Sequence, residues 1–272
     1  MAVTLTRSRG AALHFDVPAA DLPLRRGDPR SPWLLAPPEC AAALRTMQQA
    51  GAPLGEQVVI RRGVMTGANE ILVVRDVLPR LGDLARIRTE GWYRAQSSQT
   101  RSAYAAYVEG SVLRPVLRGT DIGAWQLRTE RHVLWTPHND DAALAAPPRL
   151  RRFLLRHRQR LGTDGQAIGA LHRLSPHTLG HKVAWSDLAV DLRAAAVKPL
   201  LRGVMGACVP VVPLNTVYFA ATASYRESLL LAAYMNSLPV RTFARTIAER
   251  AKDAHYRFFA WTMAVLPLPL DW

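Results

Sequence analysis

The sequence predicts an α+β fold: a mixed or antiparallel sheet domain with helices, followed by a helical C-terminal part. Two observations lead there. The β-rich runs are short and irregularly spaced, and strong helical periodicity is confined mainly to two places, with no regular βαβ alternation and no internal repeat. Residues 1–30, rich in Arg, Asp and Pro without a sustained period, read as a poorly anchored lead-in, and Ser31-Pro32-Trp33 opens the ordered part. Residues 39–50 follow Pro37-Pro38 and precede Gly51, the pattern of a helix with proline at its start and glycine past its end. Residues 57–61 and 70–74 are β-rich, and the glycines and asparagine between them suit a tight strand connection. Further strands are expected over 112–117, 132–136, 182–185 and 209–219. Over 149–161, Leu150, Phe153, Leu154 and Leu161 fall on one helical face, and Arg149, Arg152, Arg156 and Arg160 form a second stripe. Residues 225–252 read as two helices joined near Ser237-Leu238-Pro239, with Val240, Phe243 and Ile247 inward and Arg241, Arg245 and Lys252 outward. The expected organisation is a lead-in over 1–30, an α+β domain over 31–222 and a helical part packed on it over 223–272.

At 272 residues and 49% hydrophobic content the chain can bury a real core, as one large domain or two small ones. A mean hydropathy of −0.02 is that of a globular protein and not of a disordered tail. Thirty-five Lys+Arg against 21 Asp+Glu leave a net charge of +14. Such an excess concentrates polyanions and favours nucleic acid or an anionic membrane as partner. Only Lys182, Lys198 and Lys252 are lysines. A planar guanidinium suits phosphates and guanine edges, although a GC-rich gene yields the same bias. Cys40 and Cys208 match neither a disulfide framework nor a zinc pattern, so a reducing cytoplasm is expected. The apolar stretch after Arg7 and Arg9 is broken by His14 and Asp16, which argues against a signal peptide. Residues 209–223, interrupted by Pro210, Pro213 and Asn215, are too short and broken to span a bilayer, so no membrane partner is expected.

The most specific feature is Gly63-Val64-Met65-Thr66-Gly67-Ala68-Asn69. Glycine permits left-handed backbone and close approach, and Asn tolerates similar angles. The run is a turn whose amides and Thr and Asn side chains could meet phosphate or a base edge, or a conformational turn that touches nothing. Four other segments accompany it in order: Leu113-Arg114-Pro115-Val116-Leu117-Arg118-Gly119-Thr120-Asp121-Ile122, Pro213-Leu214-Asn215-Thr216-Val217-Tyr218-Phe219, Leu231-Ala232-Ala233-Tyr234-Met235-Asn236-Ser237 and Leu266-Pro267-Leu268-Pro269.

Together, over roughly residues 31–272, these segments resemble the C-terminal specificity region of TaqI/Eco57I-like adenine-N6 DNA methyltransferases of restriction–modification systems. The resemblance implies sequence-specific binding of duplex DNA in partnership with a methyltransferase catalytic domain or subunit. Methyl transfer in such enzymes uses an (Asn/Asp)-Pro-Pro-(Tyr/Phe) tetrapeptide that holds the flipped base. Here the Pro-Pro pairs are Pro37-Pro38, flanked by Ala36 and Glu39, and Pro147-Pro148, flanked by Ala146 and Arg149. Neither can serve, and no Gly-x-Gly turn follows a strand. No catalytic or cofactor-binding residue is therefore expected in this chain, and S-adenosylmethionine is expected on a separate catalytic module.

The expected DNA contacts are Arg61, Arg62, Thr66, Asn69, Arg118, Arg152, Arg156, Lys182, Arg241 and Arg245, with Gly63 and Gly67 shaping the turn. Residues 149–160 hold six arginines and no acid. Like charges four apart destabilise a helix, and an anion alongside reverses the sign, so the stripe is either a DNA-facing surface or a solvated face. His172, His177 and His181 lack a companion cysteine or suitably spaced acid, so scattered loop histidines are expected and no metal site. Asp140-Asp141, Asp187 and Asp191 show no nuclease spacing and suit capping or surface roles. Trp92-Tyr93, Tyr104 and Tyr107 could stack on bases but are expected in the core. Two other readings remain open: a basic interaction protein that binds nucleic acid or a partner without sequence preference, and a metal-dependent nuclease using the His and Asp residues.

Overall fold

The computed structural model describes residues 2–5, 13–25, 28, 31–80, 82–91, 103–136, 145–161 and 168–269. Strands β1 (Ala2–Leu5) and β2 (Leu13–Asp16) form a two-stranded antiparallel sheet. The stretch after them is held to the body, since Leu34 N–H donates to Leu22 O and Leu24 is buried in the first core described below. Helix α1 (Pro38–Gln49) starts on proline, and its exit Ala50 N–H returns to Thr46 O. It leads through β3 (Gly51–Pro53) and the single turn α2 (Leu54–Gln57) to β4 (Ile60–Arg62). The single turn α3 (Asn69–Leu72) then feeds β5 (Val73–Pro79), β6 (Leu84–Thr89) and β7 (Ala105–Glu109). Strands β8 (Leu113–Leu117) and β9 (His132–Leu134) follow, then helices α4 (Pro148–Arg156) and α5 (Arg158–Leu161).

The second half adds β10 (Lys182–Ser186), β11 (Leu188–Ala189), β12 (Ala194–Val197), β13 (Leu200–Arg202), β14 (Cys208–Pro210), β15 (Val212–Pro213) and β16 (Val217–Ala221). It ends with α6 (Tyr225–Asn236), α7 (Leu238–Ile247), β17 (Glu249–Arg250), β18 (Tyr256–Arg257), α8 (Ala260–Ala264) and β19 (Pro267–Pro269). The fold is α+β. A six-stranded sheet runs β15-β8-β9-β5-β6-β7, mixed because β15 lies parallel to β8, and a four-stranded antiparallel sheet runs β12-β10-β16-β4.

The four-stranded sheet is covered on both faces, which explains its near-continuous apolar strands. Along β10, Val183 and Trp185 enter a core with Leu231, Met235, Val240 and Phe243 of α6 and α7. Ala184 between them enters a second core with Leu117, Val211 and Phe219. This is the two-residue alternation of a strand, with both sides dry. The Trp185 indole satisfies its buried N–H on Phe258 O at 2.8 Å. Over the six-stranded sheet, Leu150, Phe153 and Leu154 of α4 pack with Ile87, Val108 and Leu113. Each such burial contributes about 1.5–3 kcal/mol.

Four expected elements differ. The run 70–74 is not a strand throughout: Ala68 O accepts from Ile71 and Leu72 N–H, so 69–72 form a helical turn and the strand begins at Val73. Ile71, Leu72, Val73 and Val74 are all fully buried, which strand alternation against one core cannot achieve. The run 57–61 likewise opens as the helical turn α2, and only 60–62 are extended. The expected strand 209–219 splits into β14, β15 and β16, which join three different sheets. Pro210 and Pro213 lack the N–H that an unbroken ladder needs. The helix expected over 149–161 also breaks at His157, whose ring packs against Tyr104 and Phe153 at 4.3 and 4.7 Å between centroids.

Two glycines of the 63–69 turn are required for different reasons. At Gly63 a Cβ would stand 2.6 Å from Pro213 O and closer still to Leu214 O. Gly67 has φ 71° with open space around it. Gly67→Ala should therefore cost about 1–2 kcal/mol, the left-handed backbone penalty, and Gly67→Asn less. Gly63→Ala should cost more, since two backbone segments must separate. Chemical denaturation of the three variants checks this order, and a Gly63→Ala protein as stable as the parent would contradict it.

Candidate nucleic-acid interface

The turn 63–69 is built on the segment 213–217. Gly63 N–H donates to Val217 O and Val64 N–H to Pro213 O, each at 2.8 Å, and Val64 forms a parallel bridge with Leu214. A third segment joins at the same point: Leu214 N–H donates to Leu117 O at 2.8 Å, and Gly119 N–H to Thr216 Oγ1 at 3.1 Å. Three of the five sequence segments singled out above therefore meet in space. The other two do structural work elsewhere. Asn236 clasps the Ala194 backbone through both amide atoms, and 267–269 pair with 51–53.

At the meeting point lies a cleft of about 420 Å³, lined by Thr66, Gly67, Asn69, Glu70, Glu90 and Asn215 among others. The Thr66 hydroxyl donates to Asn69 Oδ1 at 2.5 Å, which fixes the turn and leaves the Asn69 amide N–H₂ without a partner among the described residues. The Asn215 side chain likewise has none, while its backbone carbonyl accepts from Arg62 Nε at 2.6 Å. Both acids of the cleft are paired. Glu70 meets Arg160 at 2.8 Å, and Glu90 meets Arg118 and, at 3.4 Å, Arg131. Two carboxylates against three guanidiniums leave the rim one positive charge in excess.

No protein-family model matches the chain, and no curated protein matches it.

Arg160 links the cleft to the arginine helix. The N-terminus of α4 has no capping side chain of its own, and the Glu109 carboxylate of β7 accepts from Arg149 and Leu150 N–H at 2.9 and 3.0 Å. This carboxylate also suits the positive end of the helix dipole. With Leu150, Phe153 and Leu154 buried, the side chains of Arg149, Arg151, Arg152, Arg156 and Arg158 are exposed and have no ion-pair partner among the described residues. Arg152 and Arg156 stand four apart on one face, about 6 Å along the axis.

The remaining expected contacts divide. Arg62 is half-exposed but engaged three ways: its guanidinium carries Asn215 O, pairs with Asp187 at 3.5 Å and lies 5.6 Å over the Tyr218 ring. Arg61, its strand neighbour, points to the opposite face and, among the described residues, bonds only the Ile60 carbonyl, at 3.4 Å. Arg241 is paired with Asp191 and Arg245 stacks 5.2 Å over Tyr256; both are on α7 and neither lines the cleft. Lys182 corrects the sequence expectation of a DNA contact. It is fully buried at the start of β10, its ammonium donating to Gly180 O at 2.5 Å. Tyr104 and Tyr107, expected in the core, are instead exposed: Tyr104 precedes β7, and Tyr107 points away from the face on which its neighbour Val108 is buried. Trp92, Tyr93, Asp140 and Asp141 lie outside the described residues.

The sequence reading missed the acids that organise the site: Glu70, Glu90 and Glu109, with Asp187 and Asp191 expected in capping or surface roles. Burial pushes the Asp187 carboxyl up, and Arg62 beside it pulls it part of the way back. Among the described residues no group of three or more His, Cys, Asp or Glu could hold a metal ion, and no helix is long and apolar enough to cross a membrane.

Burial lowers the Lys182 ammonium to about 8 from its ordinary 10.5. The unfolded chain therefore binds more protons than the folded one between those values, and this group's contribution to stability rises with pH across that window, by up to about 3 kcal/mol. Below pH 8 both states are protonated and the buried charge is a standing cost. Lys182→Met should thus be more stable than the parent near pH 7.5, with the gap closing toward pH 10. Denaturant melts of both proteins across that range check it, and parallel pH profiles would contradict it.

Proposed function

We propose that this chain binds duplex DNA and reads a short site, as the target-recognition part of an adenine-N6 DNA methyltransferase of the restriction–modification type. The observation that carries the proposal is the cleft at the 63–69 turn. It offers the Asn69 amide N–H₂ and the Asn215 carboxamide, neither with a partner among the described residues, beside Arg149, Arg151, Arg152 and Arg156 of α4, which have no counter-ion among those residues. Carboxamides can bond adenine bidentately at N6 and N7, and unpaired arginines neutralise phosphates. Contacts from Arg152, Arg156 and their neighbours would fix the register of the duplex, and the cleft would read a base edge. Arg62 and Arg118 act indirectly here, holding the Asn215 loop and the Glu90 wall.

Methyl transfer on this reading requires S-adenosylmethionine, and the strand-to-long-helix junction among the described residues does not fit that cofactor. The long helix that directly follows a strand is α6, entered from β16 through Thr222-Ala223-Ser224 with no glycine. Its N-terminus is already closed: Ser224 Oγ accepts from Glu227 N–H at 3.1 Å, and the Glu227 carboxylate accepts from Ala223 N–H at 2.7 Å. The methyl donor would be held by a separate catalytic domain or subunit.

Selection from a randomised duplex pool, followed by anisotropy across a salt series, tests the proposal. Arg152→Ala with Arg156→Ala should weaken all duplexes alike and lower the salt slope by about two. Asn69→Ala or Asn215→Ala should leave the slope unchanged and remove about 1–3 kcal/mol of discrimination at one base pair. Tight binding with no enriched site would instead favour a basic interaction protein, and a flat salt response would overturn the electrostatic argument.

A further inference from the structure

A second cavity, of about 720 Å³, lies where residues 32–40 meet α7, the β17–β18 hairpin and α8. It shares no lining residue with the cleft of the 63–69 turn. Its size falls within the range of small-molecule sites, about 300–1,000 Å³. Trp33 and Trp261 both line it, and they are 55% and 49% exposed. Two large indoles left half in water on one cavity are surface that a flat guest would cover. The walls are firm. Phe243 and Ile247 anchor α7 in the core, Trp33 bridges to Pro23, and Arg250 pairs across the hairpin with Tyr256.

The charge of the cavity narrows the guest. Arg245 lies 5.2 Å over the Tyr256 ring and Arg250 is exposed; neither guanidinium has a carboxylate partner among the described residues. The acid in the lining, Glu249, is turned to Arg257 at 3.7 Å. A purely apolar guest would leave both guanidiniums unused, and a simple anion would leave the indoles bare. A planar aromatic ring carrying a phosphate satisfies both, by stacking on indole and by charge-assisted bonds to arginine. We propose that this cavity binds an unpaired nucleotide, its base against Trp33 and Trp261 and its phosphate at Arg245 and Arg250. This goes beyond duplex recognition and is independent of it, since a base paired within a duplex does not offer its face.

Cys40 lines the cavity, whereas Cys208, also exposed, lies on the β13–β14 hairpin away from it. The two thiols report on one protein sample. Adenosine 5′-monophosphate should slow alkylation of Cys40 and leave Cys208 unchanged. Adenosine and inorganic phosphate should each bind about tenfold or more weakly than the nucleotide, because each makes half of the contacts. Trp261→Ala and Arg245→Ala, both at exposed positions, should each weaken protection about tenfold or more. Duplex binding by Trp261→Ala should match the parent, so failure here is separable from failure of the duplex reading. Equal protection by phosphate alone, equal effects on both cysteines, no protection at all, or variants that bind like the parent would each overturn the proposal.

Discussion

The close backbone approach of Gly63 to Pro213 and Leu214 is the constraint on which the rest of the structure depends. Two crossings between the same two sheets run side by side there. One leaves β4 of the four-stranded sheet and reaches β5 of the six-stranded sheet; the other leaves β15 and reaches β16 in the reverse direction. With a Cβ at position 63 the crossings could not touch, and Val64 and Leu214 could not both be buried in the core of the six-stranded sheet. Crossings are irregular by necessity, so they leave polar groups at the surface instead of in a ladder. The cleft, with Asn69 and Asn215 on it, is a by-product of how the sheets are joined.

Electrostatics then divides the arginines into two kinds. Arg62, Arg118, Arg160 and Arg241 each meet a carboxylate, and each pair ties together segments distant in sequence. Removing one partner of a partly buried pair leaves a desolvated charge, so these side chains belong to the fold. Arg149, Arg151, Arg152, Arg156 and Arg158 are the other kind: the consecutive helices α4 and α5 concentrate them, and nothing among the described residues compensates them. Packing of Leu150, Phe153 and Leu154 holds α4 in place despite the repulsion, with Glu109 closing its N-terminus. Stability that is used to hold like charges together is what a polyanion site requires of its scaffold.

The sequence carried the local features and missed the distant ones. Helix α1 could be read from Pro38 and Gly51, the break between α6 and α7 from Ser237 and Pro239, and β10 from its β-rich residues. The turn 63–69 was recognisable from its glycines, but the partner that makes Gly63 obligatory lies 150 positions along the chain, at Pro213. Glu109 caps a helix 40 positions away, and Asp187 and Asp191 meet arginines 125 and 50 positions away. Such pairs leave no periodic trace in one sequence. Lys182 misled for a related reason: a lysine opening a strand normally reaches water, and here a second layer covers it. The two prolines in 209–219 were the one available sign that this run would be shared among sheets.

Hydrogen–deuterium exchange of the full chain, with and without duplex DNA, tests the central claim most directly, because it reports every backbone segment at once. The account predicts slowed exchange at 63–69 and 214–216 together with 149–160, and little change over 225–236, where α6 is packed away from the cleft. Protection confined to the C-terminal helices, with 63–69 and 214–216 exchanging as in the free protein, would contradict it.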